Sequence, residues 1–139
     1  MARVLIAYLV ANSGHHAAAR AVEESFRAVD PDGQTLVVDL LSFMHPRISQ
    51  MVERTYLYTI RRTPELWGTL YDSKWLDVLT RKMRRLVHRG NNRKVLNLMN
   101  SFRPDIAICT QAHALSVLAA HSAAHQPHLQ LWGVVTDYV

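Results

Sequence analysis

The chain has 139 residues, 49% hydrophobic and 19% charged, with 16 Lys/Arg against 11 Asp/Glu and a single cysteine, Cys109. That composition fits one globular domain with a core of its own and excludes a disordered chain or a disulfide-stapled miniature. The longest apolar run, Val4 to Ala11, is far short of the roughly 18 residues that a membrane-spanning helix needs.

Arg3 to Val10 (RVLIAYLV) is almost continuously apolar, the pattern of a strand buried on both faces of a parallel sheet. A small-residue turn follows. From His15 to Val29, Ala18, Ala21, Val22, Phe26 and Val29 recur at helical spacing, with Glu23 and Glu24 on the opposite face. Asp30-Pro31-Asp32-Gly33 predicts a turn, and Gln34 to Leu40 a second strand. Strand, helix and strand make a βαβ unit, so the expected fold is α/β, a Rossmann-like parallel sheet with helices on both faces.

After Arg47 the period is helical for over fifty residues, a long helical insertion after the second strand. Ile48, Met51, Val52, Tyr56 and Ile60 form one stripe; Pro64 opens a piece with Leu66, Trp67, Leu70 and Tyr71. Trp75, Leu76, Leu79, Met83, Leu86 and Val87 form a third stripe, and Val95, Leu98, Met99 and Phe102 a fourth that Arg103-Pro104 ends. Asp105 to Thr110 is a strand, Ala112 to Ala124 an alanine-rich helix, and Leu129 to Val135 a last strand. The sequence stops directly after it, where a domain of this class would add a covering helix, so a truncated domain spanning residues 1–139 is expected. Arg3 leads straight into the first strand with no cleavage site, and the lone cysteine fits a reducing, cytoplasmic setting.

Between Arg47 and Arg103 lie 13 of the 16 Lys/Arg but only Glu53, Glu65, Asp72 and Asp77, a net of +9 against −4 for the remaining residues. Such a basic middle suggests an anionic partner, phospholipid headgroups or nucleic acid, unless it is simply a solvated arginine-rich face. Tyr56, Tyr58, Trp67, Tyr71 and Trp75 read as core packing or, interleaved with Arg81, Lys82, Arg84 and Arg85, as a membrane interface.

Ligands of open parallel sheets bind at the carboxyl ends of the strands. Four segments end there: Asn12 to His16, Asp39 to His45, Thr110 to His113 and Thr136 to Tyr138. His15, His113 and Asp137 are the titratable side chains expected to converge, with Thr110 at the cleft edge. The loop Asn12-Ser13-Gly14-His15 carries the sharpest signal. Gly14 permits a tight turn and close backbone approach, and the helix start offers unpaired N–H groups to an anion. A histidine at the first helical position meets a dipole that disfavours its cation, and a neutral imidazole at a cleft edge suits a general base. His15 and His16 diverge as adjacent helical residues, and His121 and His125 lack carboxylate or cysteine support, so no metal site is expected.

The stretch Asn12-Ser13-Gly14-His15-His16-Ala17-Ala18-Ala19 resembles the Gly-x-Gly-His-x-x-Ala-Ala loop of the monogalactosyldiacylglycerol synthases and processive diacylglycerol glucosyltransferases, with Asn12 at the family's first glycine. Asp39-Leu40-Leu41, Tyr56-Leu57-Tyr58, Pro64-Glu65-Leu66-Trp67, Leu70-Tyr71, Phe102 to Thr110 and Val134 to Tyr138 resemble later family segments in order. The resemblance implies the N-terminal, acceptor-holding and membrane-contacting domain of a two-domain GT-B enzyme that moves a hexose from a UDP-sugar to diacylglycerol or a related lipid. It further implies His15 as the base, with inversion at the sugar. The UDP-sugar is then expected on a C-terminal domain absent from this sequence, with no cofactor in this one. The isolated domain would be inactive, peripheral on the inner face of the membrane, and would not bind nucleic acid. A flavodoxin-like or regulator-like binding module, or a non-enzymatic binder of anionic surfaces, is the alternative.

Overall fold

A computed structural model describes residues 1–43, 46–62 and 92–136 of the chain. Its elements are β1 (Arg3–Tyr8), α1 (Gly14–Val29), β2 (Gln34–Asp39), a 3-10 turn (Leu40–Phe43), α2 (Pro46–Arg62), α3 (Asn92–Phe102), β3 (Ile106–Cys109), α4 (Ala112–His125) and β4 (Gln130–Gly133). The four strands are all parallel, in the order β2-β1-β3-β4.

β1 is the hub: it is hydrogen-bonded to β2 and β3, and every residue from Val4 to Tyr8 is buried, so both of its faces are covered. Tyr8 pairs with Asp39 on one side, and Ala7 with Cys109 on the other. Its side chains alternate, as a strand requires. Val4, Ile6 and Tyr8 pack with Ala19, Val22 and Phe26 of α1. Leu5 and Ala7 face the other way, into a core with Val95 and Met99 of α3 and Ala114, Val117 and Leu118 of α4. Helices therefore cover both faces, the expected Rossmann-like arrangement. The chain winds outward from β1 to β2, then returns to β1's other side for β3, so the switch point lies between β1 and β3. β4 is the end strand beyond β3, and Trp132 and Val135 on or beside it are exposed.

Several boundaries differ from the sequence reading for local reasons. β1 stops at Tyr8 because Val10 turns left-handed at φ 69. β2 stops at Asp39 because its carboxylate folds back to accept the Leu41 N–H at 2.8 Å, starting the 3-10 turn. Glu23, expected on a solvated face, is 4% exposed. Its carboxylate is gripped by Arg20 at 2.6 Å, Arg27 at 2.8 Å and the Thr35 hydroxyl at 3.1 Å. Those partners supply the hydrogen bonds that a buried carboxylate otherwise takes from water. Gly33 closes the turn into β2; a Cβ there would lie 2.6 Å from the Phe26 ring.

The predicted pieces around Pro64 and Trp75 to Val87 lie outside the described residues. So do Trp67, Tyr71, Trp75, Arg81, Lys82, Arg84 and Arg85, the residues assigned to the membrane. Among the described residues no helix is long and apolar enough to cross a membrane.

Candidate active site

At the carboxyl end of β1 the chain must reverse into α1 within a few residues. Val10 and Asn12 do this with φ of 69 and 59. The left-handed region costs most residues about 1–2 kcal/mol, but asparagine tolerates it. Asn12 thus meets the backbone demand of the position where the resembled loop has glycine. Gly14 is not one of the left-handed residues, so the turn does not depend on it for that purpose. What Gly14 provides is room: a Cβ there would meet nothing within 4 Å, leaving the helix start open to approach.

Ser13 caps α1. Its hydroxyl donates to the Val10 carbonyl at 2.7 Å and accepts the His16 N–H at 3.3 Å. The helix accordingly starts at Gly14 and not at His15, and His15 is its second residue.

The two histidines then point to opposite sides of the loop, as adjacent helical positions must. His16 turns toward β2. Its ring stacks on Tyr8 with centroids 4.5 Å apart and 9° between planes, and its Nδ1 accepts the Asn12 N–H at 3.2 Å. Asp39 lies beside this pair. Burial pushes its carboxyl above the ordinary range, although the Leu41 and Val10 N–H groups and His16 hold it down. Tyr8 is raised as well, first by burial and then by the Asp39 charge.

His15 turns toward β3, into the switch point, and is 5% exposed. Its Nδ1 lies 3.0 Å from the Thr110 carbonyl and 2.7 Å from the Thr136 hydroxyl. A carbonyl has no proton to give, so Nδ1 carries the hydrogen. The Thr136 hydroxyl, 3.0 Å from the same carbonyl, donates to it while accepting from the ring. Thr110 closes the knot by donating its own hydroxyl to the His15 carbonyl at 2.8 Å. The imidazole is thereby fixed in orientation and tautomer, with Nε2 as its basic nitrogen.

The expected site residues thus separate. His15 and Thr110 come together, but Thr110 is fully buried and anchors the ring without lining a cleft. Asn12, Ser13, Gly14 and His16 shape the loop. His113 is exposed on the first turn of α4. Asp137 lies outside the described residues. Sequence reasoning missed three contributors. Thr136 sat in a segment already known to reach this edge, Asp39 closed the second strand, and Gln111 heads α4. The Gln111 Oε1 is buried with no hydrogen-bond partner among the described residues.

The family model described as monogalactosyldiacylglycerol (MGDG) synthase matches residues 15–139, a stretch that opens on His15 and runs through Thr110 and Thr136. No curated protein and no solved structure matches the chain.

Proposed function

The chain belongs to the monogalactosyldiacylglycerol synthase family, and from that premise we propose that it is the acceptor-side, N-terminal domain of a GT-B enzyme transferring a hexose from a UDP-sugar to diacylglycerol. Membership supports the coarser reading, a glycosyltransferase acting on a diacylglycerol lipid. The donor, the inverting course and the residue roles are our own reading. The UDP-sugar is held by the second domain of such an enzyme, and this domain meets the membrane peripherally because its acceptor resides there.

The observation that carries the mechanism is the hydrogen bonding of His15. With Nδ1–H directed to the Thr110 carbonyl and Thr136 hydroxyl, Nε2 offers its lone pair to the acceptor hydroxyl. The hydroxyl oxygen attacks the anomeric carbon from the face opposite the leaving group. Its proton passes to Nε2, and the bond from the anomeric carbon to the diphosphate breaks with its electron pair leaving on UDP. The open helix start at Gly14 admits the reacting groups, and its N–H dipoles favour developing negative charge.

Removing a positioned base costs on the order of 10²–10⁴ in rate. His15→Ala and His15→Gln in the full-length enzyme should therefore lose at least about a hundredfold in kcat, with donor affinity retained. Transfer near the wild-type rate in both variants would rule out His15 as the base.

A further inference from the structure

We propose that one exposed row of α2, Met51, Arg54, Tyr58 and Arg62, is the face on which this domain lies against an acidic phospholipid bilayer. The proposal takes its purpose from the membrane-borne acceptor inferred above, but it stands on separate observations and names a surface that includes none of the residues around the base.

The four residues are spaced three, four and four apart, so they lie on one face of the helix. All four are exposed, the two large apolar side chains conspicuously so: Met51 is 61% and Tyr58 63% exposed. The Arg62 guanidinium sits over the Tyr58 ring, 5.9 Å from its centroid. Arg47, also exposed, continues the row toward the start of the helix.

The orientation of the helix is fixed from its other side. Glu53, the sole acid of α2, is half-buried and its charge acts on Asp39 at the end of β2. Glu53 lies roughly 140° around the helix from the row, taking 100° per residue. With Glu53 facing the sheet edge, the row faces outward. Every charge on it is positive.

This combination decides the partner. Leaving Met51 and Tyr58 in water forgoes the gain from burying apolar surface. A purely ionic partner such as a nucleic-acid backbone would engage the arginines and leave those two side chains wet. A bilayer interface takes both: the methionine and the tyrosine ring enter the headgroup boundary, and the guanidinium groups extend to lipid phosphates. α2 follows the 3-10 turn at the carboxyl edge of β2, the edge that also carries His15. A domain lying on α2 would therefore hold its site close to the lipid.

The test uses the whole chain and sedimentation with vesicles of phosphatidylcholine, with and without phosphatidylserine, at low and high salt. Neither donor nor acceptor is present, so the outcome is independent of whether His15 is the base. Binding should require phosphatidylserine and weaken as salt rises. Arg54→Ala/Arg62→Ala should lose about tenfold or more in partitioning, and Met51→Ser/Tyr58→Ser a comparable amount. Arg54→Lys/Arg62→Lys should retain most of the binding, and Arg93→Ala/Lys94→Ala on α3 should match wild type. Equal losses from the α3 and α2 variants would overturn the proposal, as would binding to duplex DNA with none to vesicles. A dye attached at Met51→Cys gives a second reading that needs no loss of binding: its emission should shift to the blue on acidic vesicles. An unshifted dye on a vesicle-bound chain overturns the assignment of the face.

Discussion

Val10 and Asn12 are the two residues through which the reversal between β1 and α1 is made, and they meet the same demand unequally. A β-branched side chain at φ 69 is under strain, whereas asparagine at φ 59 is the best non-glycine choice. Asn12→Gly should therefore leave stability within about 0.5 kcal/mol, while Asn12→Val should cost about 1–2 kcal/mol. Urea unfolding of both variants checks this, and equal stabilities would show that the loop does not hold Asn12 left-handed. His15 was legible as a candidate base from its place at a helix start after a buried strand. The group that orients it was not. Thr136 is 121 positions away, and no local pattern distinguishes a threonine that accepts from an imidazole from one that faces water. Likewise the roles of Gly14 and Asn12 are exchanged relative to a reading that assigns the turn to its glycine.

Among the elements, α4 carries an unresolved polar feature. His121 is 5% exposed, both its ring nitrogens are buried without a hydrogen-bond partner among the described residues, and it stacks on His125 with centroids 4.9 Å apart. Burial, and secondarily His125, lowers its pKa below the ordinary value. The unfolded chain then takes up this proton more readily than the native one. Stability should be fully present above the unfolded value of about 6.5 and fall as the pH drops below it, until the lowered native value is passed. Denaturant midpoints at about pH 5 and pH 7.5 should differ more in wild type than in His121→Leu. An unchanged pH difference in that variant would assign the acid sensitivity elsewhere. The sequence showed His121 and His125 sharing a face, and it predicted every described strand and helix in order. It misplaced element ends by one to three residues, because those ends are set by capping: Ser13 at α1, and the Asp39 carboxylate at the 3-10 turn.

At the scale of the molecule, the sheet is continuous with its core, and Cys109 reports on it. The thiol is 1% exposed on β3, and burial pushes its pKa up to about 12. It should react with a disulfide reagent only when the sheet opens, so its labelling rate should follow global unfolding as denaturant is raised. Labelling of the native chain at the rate of a free peptide would contradict a closed sheet. By itself, the sequence determined the α/β class, the βαβ start, the amphipathic faces of α1 and α3 and the loop that carries His15, since each follows from spacing within one segment. Only the tertiary structure decided which side of β1 receives β3, that Glu23 is buried beneath Arg20 and Arg27, and that His15 and His16 serve opposite sides of the loop. It likewise decided that Met51 and Tyr58 of α2 face outward while Glu53 faces in. Those outcomes depend on partners far apart in the chain, and a periodic pattern fixes which face of an element is apolar without fixing what that face will meet.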